Sequence, residues 1–480
     1  MAEHMDPEEF RRAGYAVVDW IADYWATLGQ RPVTTTDPPG TVTASLPAGP
    51  PEHGEPVAAV LADLDDLIAP QLTHWQHPAF FGYFPANTSG PSVLGDLVSS
   101  GLGVQGMLWA TGPAGTELET VLLDWLAELM DLPERFRSTS SGGGVIQDSA
   151  SSATLVATLV ALHRASGGRW RTAGVDRRYR VYASTQGHSS IEKAARITGL
   201  GTDGLRPVEV DPDTQAMCPR ALRAAIADDL ADGIVPAIVV ATVGTTSTTA
   251  VDPLPEIGAI CAEYGVWLHV DAAYAGAAAV CPELRWTHTG LRYADSYCFD
   301  PHKWLLTGFD CDAFWVADAA ELVEALTVLP EYLRNAASES GAVIDYRDWQ
   351  VPLGRRLRAL KLWFVLRWYG AAGLRAHVRS GVALADRFAT RVRADDRFEV
   401  VAPHPFALVC FRLVAGDGAS AELLARVNAT GRTYLTHTRV AGRYALRLAV
   451  GSPQTTSAHV DQVWQLLATT ATDLLADRPG

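Results

Sequence analysis

Short β-rich runs alternate with helical segments from about residue 116 to residue 355, and this alternation constrains the fold more than any other feature of the sequence. The β-rich runs are YRVYAS, AIVVATVG, VWLHVDAA, SYCFD and AFWVAD, and TELETVLLDWLAELM is typical of the helical segments. Strands that alternate with helices indicate a mostly parallel sheet with helices packed on it. The sequence therefore predicts an α/β core for this part of the chain.

The first 85 residues predict a helical arm rather than a domain with its own core. Apolar residues recur at helical spacing over residues 6–28, a Pro-, Gly- and Thr-rich linker follows near residues 31–57, and a second helix is predicted over residues 55–69. An arm of this kind cannot bury its apolar face by itself. We expect it to pack on another surface, for which a second subunit is the candidate.

The C-terminal part predicts a smaller domain of a different kind. A long helix, RRLRALKLWFVLRWYG, follows the α/β block, and the later runs FALVCFRLVA and YALRLAVG alternate as strands do. A chain of 480 residues is too long for one core. We therefore predict three units: an N-terminal helical arm over residues 1–85, a large α/β domain over residues 86–355 and a small α+β domain over residues 356–480.

The charge balance and the cysteines limit the class of protein. Lys and Arg total 39 against 54 Asp and Glu, for a net charge of −15, which argues against nucleic acid or an anionic membrane as the main partner. The six cysteines form no C-x-x-C pair and are expected to be buried free thiols in a reducing compartment. The acidic first residues are unlike a signal peptide, and no apolar stretch is long enough to cross a bilayer. We expect a cytoplasmic protein without a metal site.

A possible phosphate site lies in SGGGVIQDSASSATLVATLVAL, residues 141–162, where Gly and Ser residues lead into a helix. Backbone N–H groups and hydroxyls at a helix N-terminus bind phosphate, and Ser149, Ala150 and Ser151 stand at this one. The segment matches neither G-x-G-x-x-G nor a P-loop. An ordinary helix start explains the same residues, so this segment alone leaves both interpretations open.

Three polar residues stand close to predicted strands of the same block. His188 follows a strand in STQGHSSIEKAARITG, and Asp271 ends the apolar strand of VWLHVDAAYAG. Parallel sheets bind ligands at this end of their strands, and a desolvated carboxylate there needs a cationic partner. Lys303 lies in the aromatic-rich run FDPHKWLLTGFDCDAFWV, where a buried ammonium needs a partner or a chemical role. The alternatives are a structural histidine and, for Asp271, a helix N-cap.

Together these segments indicate one cofactor. Pyridoxal 5'-phosphate (PLP) needs a phosphate-binding helix start, an anion for its ring nitrogen, a flat group over its ring and a lysine for a Schiff base. Ser149 to Ser151, His188, Asp271 and Lys303 could supply these groups, and they follow one another on an α/β pattern. The coincidence of all four is far more specific than any one of them.

The chain resembles the group II PLP-dependent decarboxylases, and most closely the aromatic-L-amino-acid decarboxylases. The similar blocks include HPAFFGYFPAN, GGGVIQDSAS, GHSSIEKA, ATVGTTS, WLHVDAAYAG, DPHKWLL and DYRDWQVPLGRRLRALKLWFV, and they extend over nearly the whole chain. The resemblance implies PLP-dependent fold type I, the aspartate-aminotransferase-like architecture with a mainly parallel central sheet. It also implies a homodimer with its active site at the subunit interface and the arm packed on the partner.

The resemblance assigns roles to individual residues. Lys303 would form the Schiff base, Asp271 would pair with the ring nitrogen and His188 would stack on the ring, while Tyr332 in LPEYLRN would be the general acid on a mobile loop. The other PLP-binding residues would be Ser149, Ala150, Ser151, Thr246, Ala273 and His302. The aromatic side-chain pocket would be lined by Trp75, Tyr83, Phe84 and Pro85, joined by Gln105, Met107 and Gly354 from the neighbouring chain.

Three positions depart from the family pattern. Ala86 replaces a Thr or Ser implicated in holding the substrate carboxylate, for which Asn87 or Thr88 could substitute. Asp148 stands where glycine is common, and Asp300 stands where the animal enzymes have asparagine. An acid next to a phosphate is unfavourable unless it points away or is neutralised.

The implied reaction is the decarboxylation of an aromatic L-amino acid to an arylalkylamine. Gly354 favours tryptophan, because glycine at the matching position in plant relatives tends to accompany indolic substrates, while phenylalanine, tyrosine and dihydroxyphenylalanine stay open. The alternatives are an aromatic aldehyde synthase, an aminotransferase of the same fold, and a PLP-binding protein without turnover. Aldehyde synthases commonly replace the loop tyrosine or the stacking histidine, whereas this chain keeps Tyr332 and His188.

Overall fold

The structure is a computed structural model that describes residues 4–84, 88–328 and 343–476. The strands are β1 (Gly143–Gln147), β2 (Tyr179–Ser184), β3 (Leu205–Val208), β4 (Val235–Thr242), β5 (Trp267–Asp271), β6 (Ser296–Phe299), β7 (Asp312–Val316), β8 (Phe398–Val400), β9 (Leu408–Leu413), β10 (Thr436–Val440) and β11 (Arg443–Ala449). The helices are α1 (Pro7–Thr27), α2 (Thr41–Ser45), α3 (Val57–Asp63), α4 (Gly90–Leu102), α5 (Pro113–Leu129), α6 (Ala150–Ser166), α7 (Trp170–Ala173), α8 (Ser189–Ile197), α9 (Pro219–Ala231), α10 (Leu254–Tyr264), α11 (Pro301–Trp304), α12 (Ala319–Leu326), α13 (Ala359–Arg393), α14 (Asp417–Ala429) and α15 (Ser457–Ala476).

A seven-stranded sheet in the order β1-β7-β6-β5-β4-β2-β3 forms the centre of the molecule. Strands β2 to β6 pair with one another in parallel, whereas β7 runs antiparallel to both of its neighbours, β6 and β1. The predicted mainly parallel sheet is confirmed. Its register sets Thr242 beside Asp271 and Asp271 beside Cys298, so the carboxyl ends of β4, β5 and β6 lie together.

Apolar layers cover both faces of this sheet. On one face Val156 and Val160 of α6 belong to the same buried cluster as Ile238 and Val240 of β4. On the other face the buried side chains of α9 and α10 join a larger cluster with Val239. Burial on both faces explains why β4 and β5 have near-continuous apolar sequences instead of the alternation of a half-exposed strand.

A four-stranded antiparallel sheet, in the order β10-β11-β9-β8, lies in the C-terminal part of the chain. The N-terminal region pairs with it, because Phe81 N–H donates to the Tyr434 carbonyl at 2.9 Å and Ala449 N–H donates to the Phe81 carbonyl at 3.0 Å. Residues just before the large sheet are thereby fixed against the small one. The division into units at residues 85 and 355 stays a prediction.

Several sequence predictions hold at the level of single elements, and two need correction. The strand predicted at YRVYAS is β2, and the helix predicted over residues 6–28 is α1. The long helix predicted from Arg355 begins instead at Ala359, because Arg355 N–H donates to the Gln105 side chain and its guanidinium is bound by Glu119. The predicted Gly/Ser lead-in to α6 contains a full strand, β1, which the sequence did not indicate.

All six cysteines are free thiols, and five of them are buried as predicted, whereas Cys218 is half-buried. Across the described parts of the chain, no helix combines the length and the apolar character needed to cross a membrane.

Candidate active site

Asp271 ends β5 at the centre of the sheet and is buried. Its Oδ1 accepts a hydrogen bond from Ala273 N–H at 3.0 Å, so the carboxylate also stabilises the turn that follows the strand. Burial raises the pKa of Asp271, and the Lys303 ammonium opposes that rise. A carboxylate in this position is therefore desolvated and responds strongly to any cation placed next to it.

Lys303 lies on the short helix α11, directly after β6, and its side chain is 28% exposed. Its Nζ lies 2.6 Å from Oδ2 of the buried Asp300. Burial lowers the pKa of Lys303, but the nearby carboxylates of Asp300 and Asp271 outweigh that effect and the net shift is upward. Lys303 is thus a charged, partly accessible amine at the carboxyl ends of the central strands.

The N-terminus of α6 faces the same acidic group. Ala150 N–H donates to Asp300 Oδ1 at 3.1 Å, while the Ser149 hydroxyl donates to Asp148 at 3.1 Å. Ser151 is exposed on the first turn of the helix. This helix start already binds a carboxylate, which demonstrates that it can stabilise an anion.

His302 is buried between Asp300 and the chain at Cys311. Its Nδ1 lies 2.7 Å from the Cys311 carbonyl oxygen, and its Nε2 lies 3.6 Å from Asp300 Oδ2. Burial lowers the pKa of His302, and the negative charge of Asp300 offsets only part of this shift. The structure therefore places the predicted phosphate residue His302 next to Asp300 and Lys303.

His188 caps helix α8 and presents an exposed ring. Ser190 N–H donates to its Nδ1 at 3.2 Å, and the Ser190 hydroxyl lies 2.9 Å from the same atom. These contacts fix the ring while its other edge stays accessible. Asp271 and Lys303 act electrostatically on His188, so the three residues that the sequence singled out occupy one site.

Thr246 and Ala273 lie at the rim of this site. Thr246 is exposed, and its carbonyl accepts a hydrogen bond from Arg447 at 2.7 Å. The same arginine donates to the Ser247 carbonyl at 3.1 Å and to the Thr436 hydroxyl at 3.0 Å. Arg447 thereby connects the small sheet to the turn after β4 through three of its N–H groups.

A column of aromatic rings runs from Phe84 into the core. Phe84 stacks on Tyr274 with ring centroids 3.8 Å apart, and Tyr274 stacks on Trp304 at 4.9 Å. Tyr274 and Trp304 are buried, and Trp304 is the residue after Lys303 on α11, so the column anchors this short helix to the core. Phe84 was predicted for the side-chain pocket, whereas Tyr274 and Trp304 were not predicted.

Trp75 and Tyr83 belong to a second aromatic group rather than to this column. They stack on each other with centroids 5.3 Å apart, and Tyr83 also faces Tyr434 at 6.3 Å. Both side chains are substantially exposed. Pro85, Ala86, Asn87 and the loop residue Tyr332 lie outside the described residues.

Gln105, Met107 and Gly354 were predicted for the pocket of a neighbouring chain. The Gln105 side chain accepts from Arg355 N–H at 3.1 Å, and the Met107 carbonyl accepts from Arg347 N–H at 2.9 Å. Gly354 and Gln105 are exposed. Gly354 therefore lies beside Gln105 at the surface, whereas Met107 is half-buried. That these residues serve a neighbouring chain stays a prediction.

The residues that the sequence missed fall into two kinds. Tyr274, Trp304 and Tyr434 contact predicted residues through ring stacking, and VDAAYAG and PHKWLL already contain two of these rings next to predicted site residues. Asp312 is different, because it is fully buried next to Asp300 in a run that looked almost uncharged.

These groups fit PLP by their chemistry. A helix start that already holds a carboxylate can accept a phosphate, Lys303 offers an amine, and Asp271 offers a buried carboxyl group on which Lys303 and His188 act electrostatically. His188 offers a flat ring in the same site. Among the described residues, no group of three or more His, Cys, Asp or Glu side chains could hold a metal ion.

Known proteins are similar to this chain over nearly its whole length. The phenylacetaldehyde synthase of Arabidopsis thaliana is 44% identical over 98% of this chain and 97% of its own length. Tryptophan decarboxylase 2 of Oryza sativa subsp. japonica is 43% identical over 98% of this chain and 96% of its own. The crystal structure of Oryza sativa TDC with PLP and tryptamine superposes with a TM-score of 0.96, at 41% identity over 99% of this chain and 100% of that one.

The pyridoxal-dependent decarboxylase conserved domain matches residues 39–414, which is most of the chain. The fold, the grouping of Lys303, Asp271 and His188, and this match agree. The chain therefore belongs to the pyridoxal-dependent decarboxylase family, whose cofactor is PLP.

Proposed function

We propose that this protein decarboxylates an aromatic L-amino acid, with tryptophan favoured, to the corresponding arylalkylamine and carbon dioxide. The observation that carries the proposal is the ring column Phe84–Tyr274–Trp304, whose accessible member is Phe84 and whose buried end, Trp304, is the residue after Lys303 in the chain. Aromatic rings stack preferentially on other rings, so the half-buried Phe84 ring suits an aromatic side chain. Similarity to a tryptophan decarboxylase over nearly the full length supports the same substrate class.

In this proposal Lys303 is the residue that binds PLP covalently. Bound PLP withdraws electrons from the substrate α-carbon, so that the bond to the carboxylate can break. Asp271 contributes a buried negative charge that favours a proton on the cofactor's ring nitrogen. Ser149, Ala150, Ser151, Thr246, Ala273 and His302 complete the cofactor site, and His188 provides a flat ring for stacking.

Tyr332 is proposed to donate the proton that replaces the carboxylate on the α-carbon.

Arg447 has a structural role, because its guanidinium donates to the Thr246 and Ser247 carbonyls. It positions the turn after β4 against the small sheet.

An aromatic aldehyde synthase is the second candidate function. A phenylacetaldehyde synthase is among the similar proteins, at 44% identity, so overall similarity does not separate the two reactions. Retention of Tyr332 and His188 favours the decarboxylase. An aminotransferase of the same fold has less support, and its products would differ from both.

A panel of L-amino acids incubated with the PLP-loaded protein tests these functions together. The expected result is equal amounts of carbon dioxide and arylalkylamine, largest with tryptophan and without hydrogen peroxide. Aldehyde with peroxide would establish the synthase, and amino transfer to a 2-oxo acid without carbon dioxide would establish an aminotransferase. Turnover of glutamate in preference to every aromatic substrate would refute the proposed substrate class.

Tyr332→Phe tests the proton donor separately. Loss of the hydroxyl should slow amine release and raise the fraction of aldehyde and peroxide, because the α-carbon then stays unprotonated for longer. Tyr293→Phe is a matched control, since its hydroxyl accepts a hydrogen bond from Arg292 on the surface. An unchanged amine yield in Tyr332→Phe would remove this residue from the mechanism.

We propose further that the protein is a cytoplasmic homodimer with Gln105, Met107 and Gly354 contributed to the partner's site. In support, α1 has 21 residues and buries none of them in the single chain. Helix α4 also exposes an apolar stripe. These side chains are Phe10, Tyr15, Val18, Leu94, Leu97, Val98 and Leu102. Exposed apolar surface of this extent is typical of an interface.

Light scattering on the purified protein should give twice the mass of the chain. Lys303→Ala and Gly354→Trp should each be inactive alone. If Gly354 serves the partner's site, a mixed dimer of the two variants has one site with native Lys303 and native Gly354. Mixing the two variants should therefore restore activity. A monomer, or a mixture without activity, would refute the shared site.

A further inference from the structure

Asp312 is a buried carboxyl group without an ordinary partner. It is fully inaccessible to solvent at the start of β7, and among the described residues no N–H or hydroxyl group donates to either of its oxygens. An ionised carboxylate in such a place would lose its hydration and gain nothing in return. Its charge state therefore depends on the neighbouring groups.

The nearest of these groups is a second carboxyl, that of Asp300. Strands β6 and β7 pair antiparallel with Phe299 opposite Ala313, so one further step of this register sets Asp300 opposite Asp312. The neighbouring Asp300 carboxyl adds to burial in raising the pKa of Asp312, both through its charge and through a hydrogen bond between the two side chains. Like charges placed opposite each other on neighbouring strands repel, whereas one proton between them turns the repulsion into a hydrogen bond.

The other contacts of Asp300 show which carboxyl is ionised. Asp300 Oδ2 lies 2.6 Å from Lys303 Nζ, and Asp300 Oδ1 accepts from Ala150 N–H at the start of α6. Asp300 thus has a cation and a helix N-terminus, both of which favour a negative charge. Asp312 has neither. The pKa directions agree: burial raises that of Asp312 well above its usual value, and Lys303 with His302 outweighs burial to lower that of Asp300.

We propose that Asp300 and Asp312 share one proton, carried by Asp312, so that the pair bears one negative charge matched to the Lys303 ammonium. Asp312 is then a positioning residue that acts through Asp300 on the lysine. The pair also accounts for an aspartate at position 300, where the animal enzymes have asparagine. The Asp300 carboxylate beside the phosphate-binding helix start is tolerated because Asp312 carries the shared proton. The pair then has one negative charge instead of two.

The relevance of the pair to the cofactor rests on the proposed role of Lys303. Loss of the shared proton would place a second negative charge beside both the lysine and the α6 N-terminus, where the PLP phosphate is proposed to bind. The other titratable groups that act on Asp300 or Asp312 are Asp271, Tyr297, Cys298, His302, Lys303, Cys311 and, more distantly, His188. They are the same in the variants below, so differences between variants report on the pair.

Infrared difference spectroscopy tests the proton directly. Asp312→Asn cannot ionise and keeps an N–H donor for Asp300. Its spectrum is subtracted from that of the full-length wild type, in water and in deuterium oxide. The difference should contain the band of one un-ionised carboxylic acid. Asp310→Asn is the matched control, because Arg358 and Lys361 overcome burial to keep the Asp310 pKa low. Measurement at pH 8 avoids the buried Asp252, whose pKa is about 6. An acid band that is the same in wild type and Asp312→Asn, or no band in either, would overturn the proposal.

The pH dependence of stability gives a second readout. An aspartate in an unfolded chain has a pKa of about 3.9, and burial raises the pKa of Asp312 well above that value in the folded chain. Wild-type stability should therefore fall as pH rises above about 4, up to the folded pKa. Asp312→Asn lacks this fall, so its melting temperature relative to wild type should rise between pH 5 and pH 8. A constant offset across that range, which a purely structural role would give, would refute the shared proton.

PLP affinity separates this proposal from the proposed function. As pH rises through the value at which Asp312 loses its proton, the dissociation constant of wild type for PLP should rise relative to that of Asp312→Asn. Borohydride reduction followed by mass spectrometry shows whether PLP is attached to Lys303 in each protein. Absence of the adduct from wild type would refute the role of Lys303 and leave the infrared result standing, whereas equal pH dependence in two proteins that both form the adduct would refute the influence of the pair on the cofactor.

Discussion

The charged end of the candidate site and its aromatic end are built from different parts of the chain. At the charged end, Asp271, Asp300 and Lys303 follow two adjacent strands of one sheet, β5 and β6. At the aromatic end, Phe84 comes from the N-terminal region and packs with Tyr274, while the edge of Phe406, from the C-terminal region, faces the same ring. One backbone sheet fixes the charges, whereas three separated segments must meet to form the ring surface. Substitutions at the first end should therefore affect the reaction itself, and substitutions at the second should affect the choice and affinity of substrate.

Lys303→Ala should have the largest effect. Without its amine the proposed covalent link to PLP is absent, and kcat/KM with the preferred amino acid should fall by roughly three orders of magnitude or more. Absorbance of the bound cofactor and mass spectrometry after borohydride reduction measure the link, and carbon dioxide release measures turnover. Lys361 is a matched control, because it is also buried and pairs with Asp96 at 2.9 Å. Lys361→Met should lose stability but keep the adduct, and an adduct that persists in Lys303→Ala would place the link elsewhere.

Asp271→Asn should have the next largest effect. The amide keeps the size of the side chain but removes the buried negative charge, so kcat should fall by about 10²–10³-fold, as when one preorganised electrostatic group is removed. Asp252 is the comparison within the same sheet region, because it is equally buried and accepts hydrogen bonds from Met217 N–H and Thr242 N–H, both at 2.7 Å. Asp252→Asn should cost about 1–3 kcal/mol of stability and leave kcat near that of wild type. Equal kcat in Asp271→Asn and wild type would show that the charge at the end of β5 has no part in the reaction.

This division also explains how much the sequence could predict. The charged end was predictable because Asp271 and Lys303 each stand at the end of a recognisable apolar strand. Strand β1 was missed because its glycines resemble a loop, yet a Cβ at Gly144 would lie 2.7 Å from the Trp315 side chain, a contact between distant segments. The stacking of Tyr274 on Phe84 joins residues 190 positions apart, and no local pattern encodes such a distance.

Gly354→Ser should change selectivity more than rate. A Cβ at Gly354 would meet the Gln105 side chain at 3.5 Å, which is ordinary contact, so the substitution fits within its own chain and occupies space towards the proposed partner site. The ratio of kcat/KM for tryptophan to that for tyrosine should fall by about tenfold, because one added group in a pocket discriminates by this order. Gly54→Ser, at a glycine with open space around it, is the control. An unchanged ratio would separate Gly354 from the substrate pocket.

Phe84→Leu should have the smallest effect, and it tests whether the ring column binds substrate or only stabilises the fold. Aromatic pairing contributes roughly 0.5–1.5 kcal/mol beyond burial, so the KM for an aromatic substrate should rise by about two- to tenfold with little change in kcat. Phe406 supplies the comparison, because it meets Tyr274 and Trp304 edge-on and is fully buried. Phe406→Leu should lower the melting temperature while KM stays constant, since its ring faces the core rather than the accessible end of the column. If both variants lowered stability and neither raised KM, the column would be a structural support, and substrate selection would rest with the exposed rings of Trp75 and Tyr83.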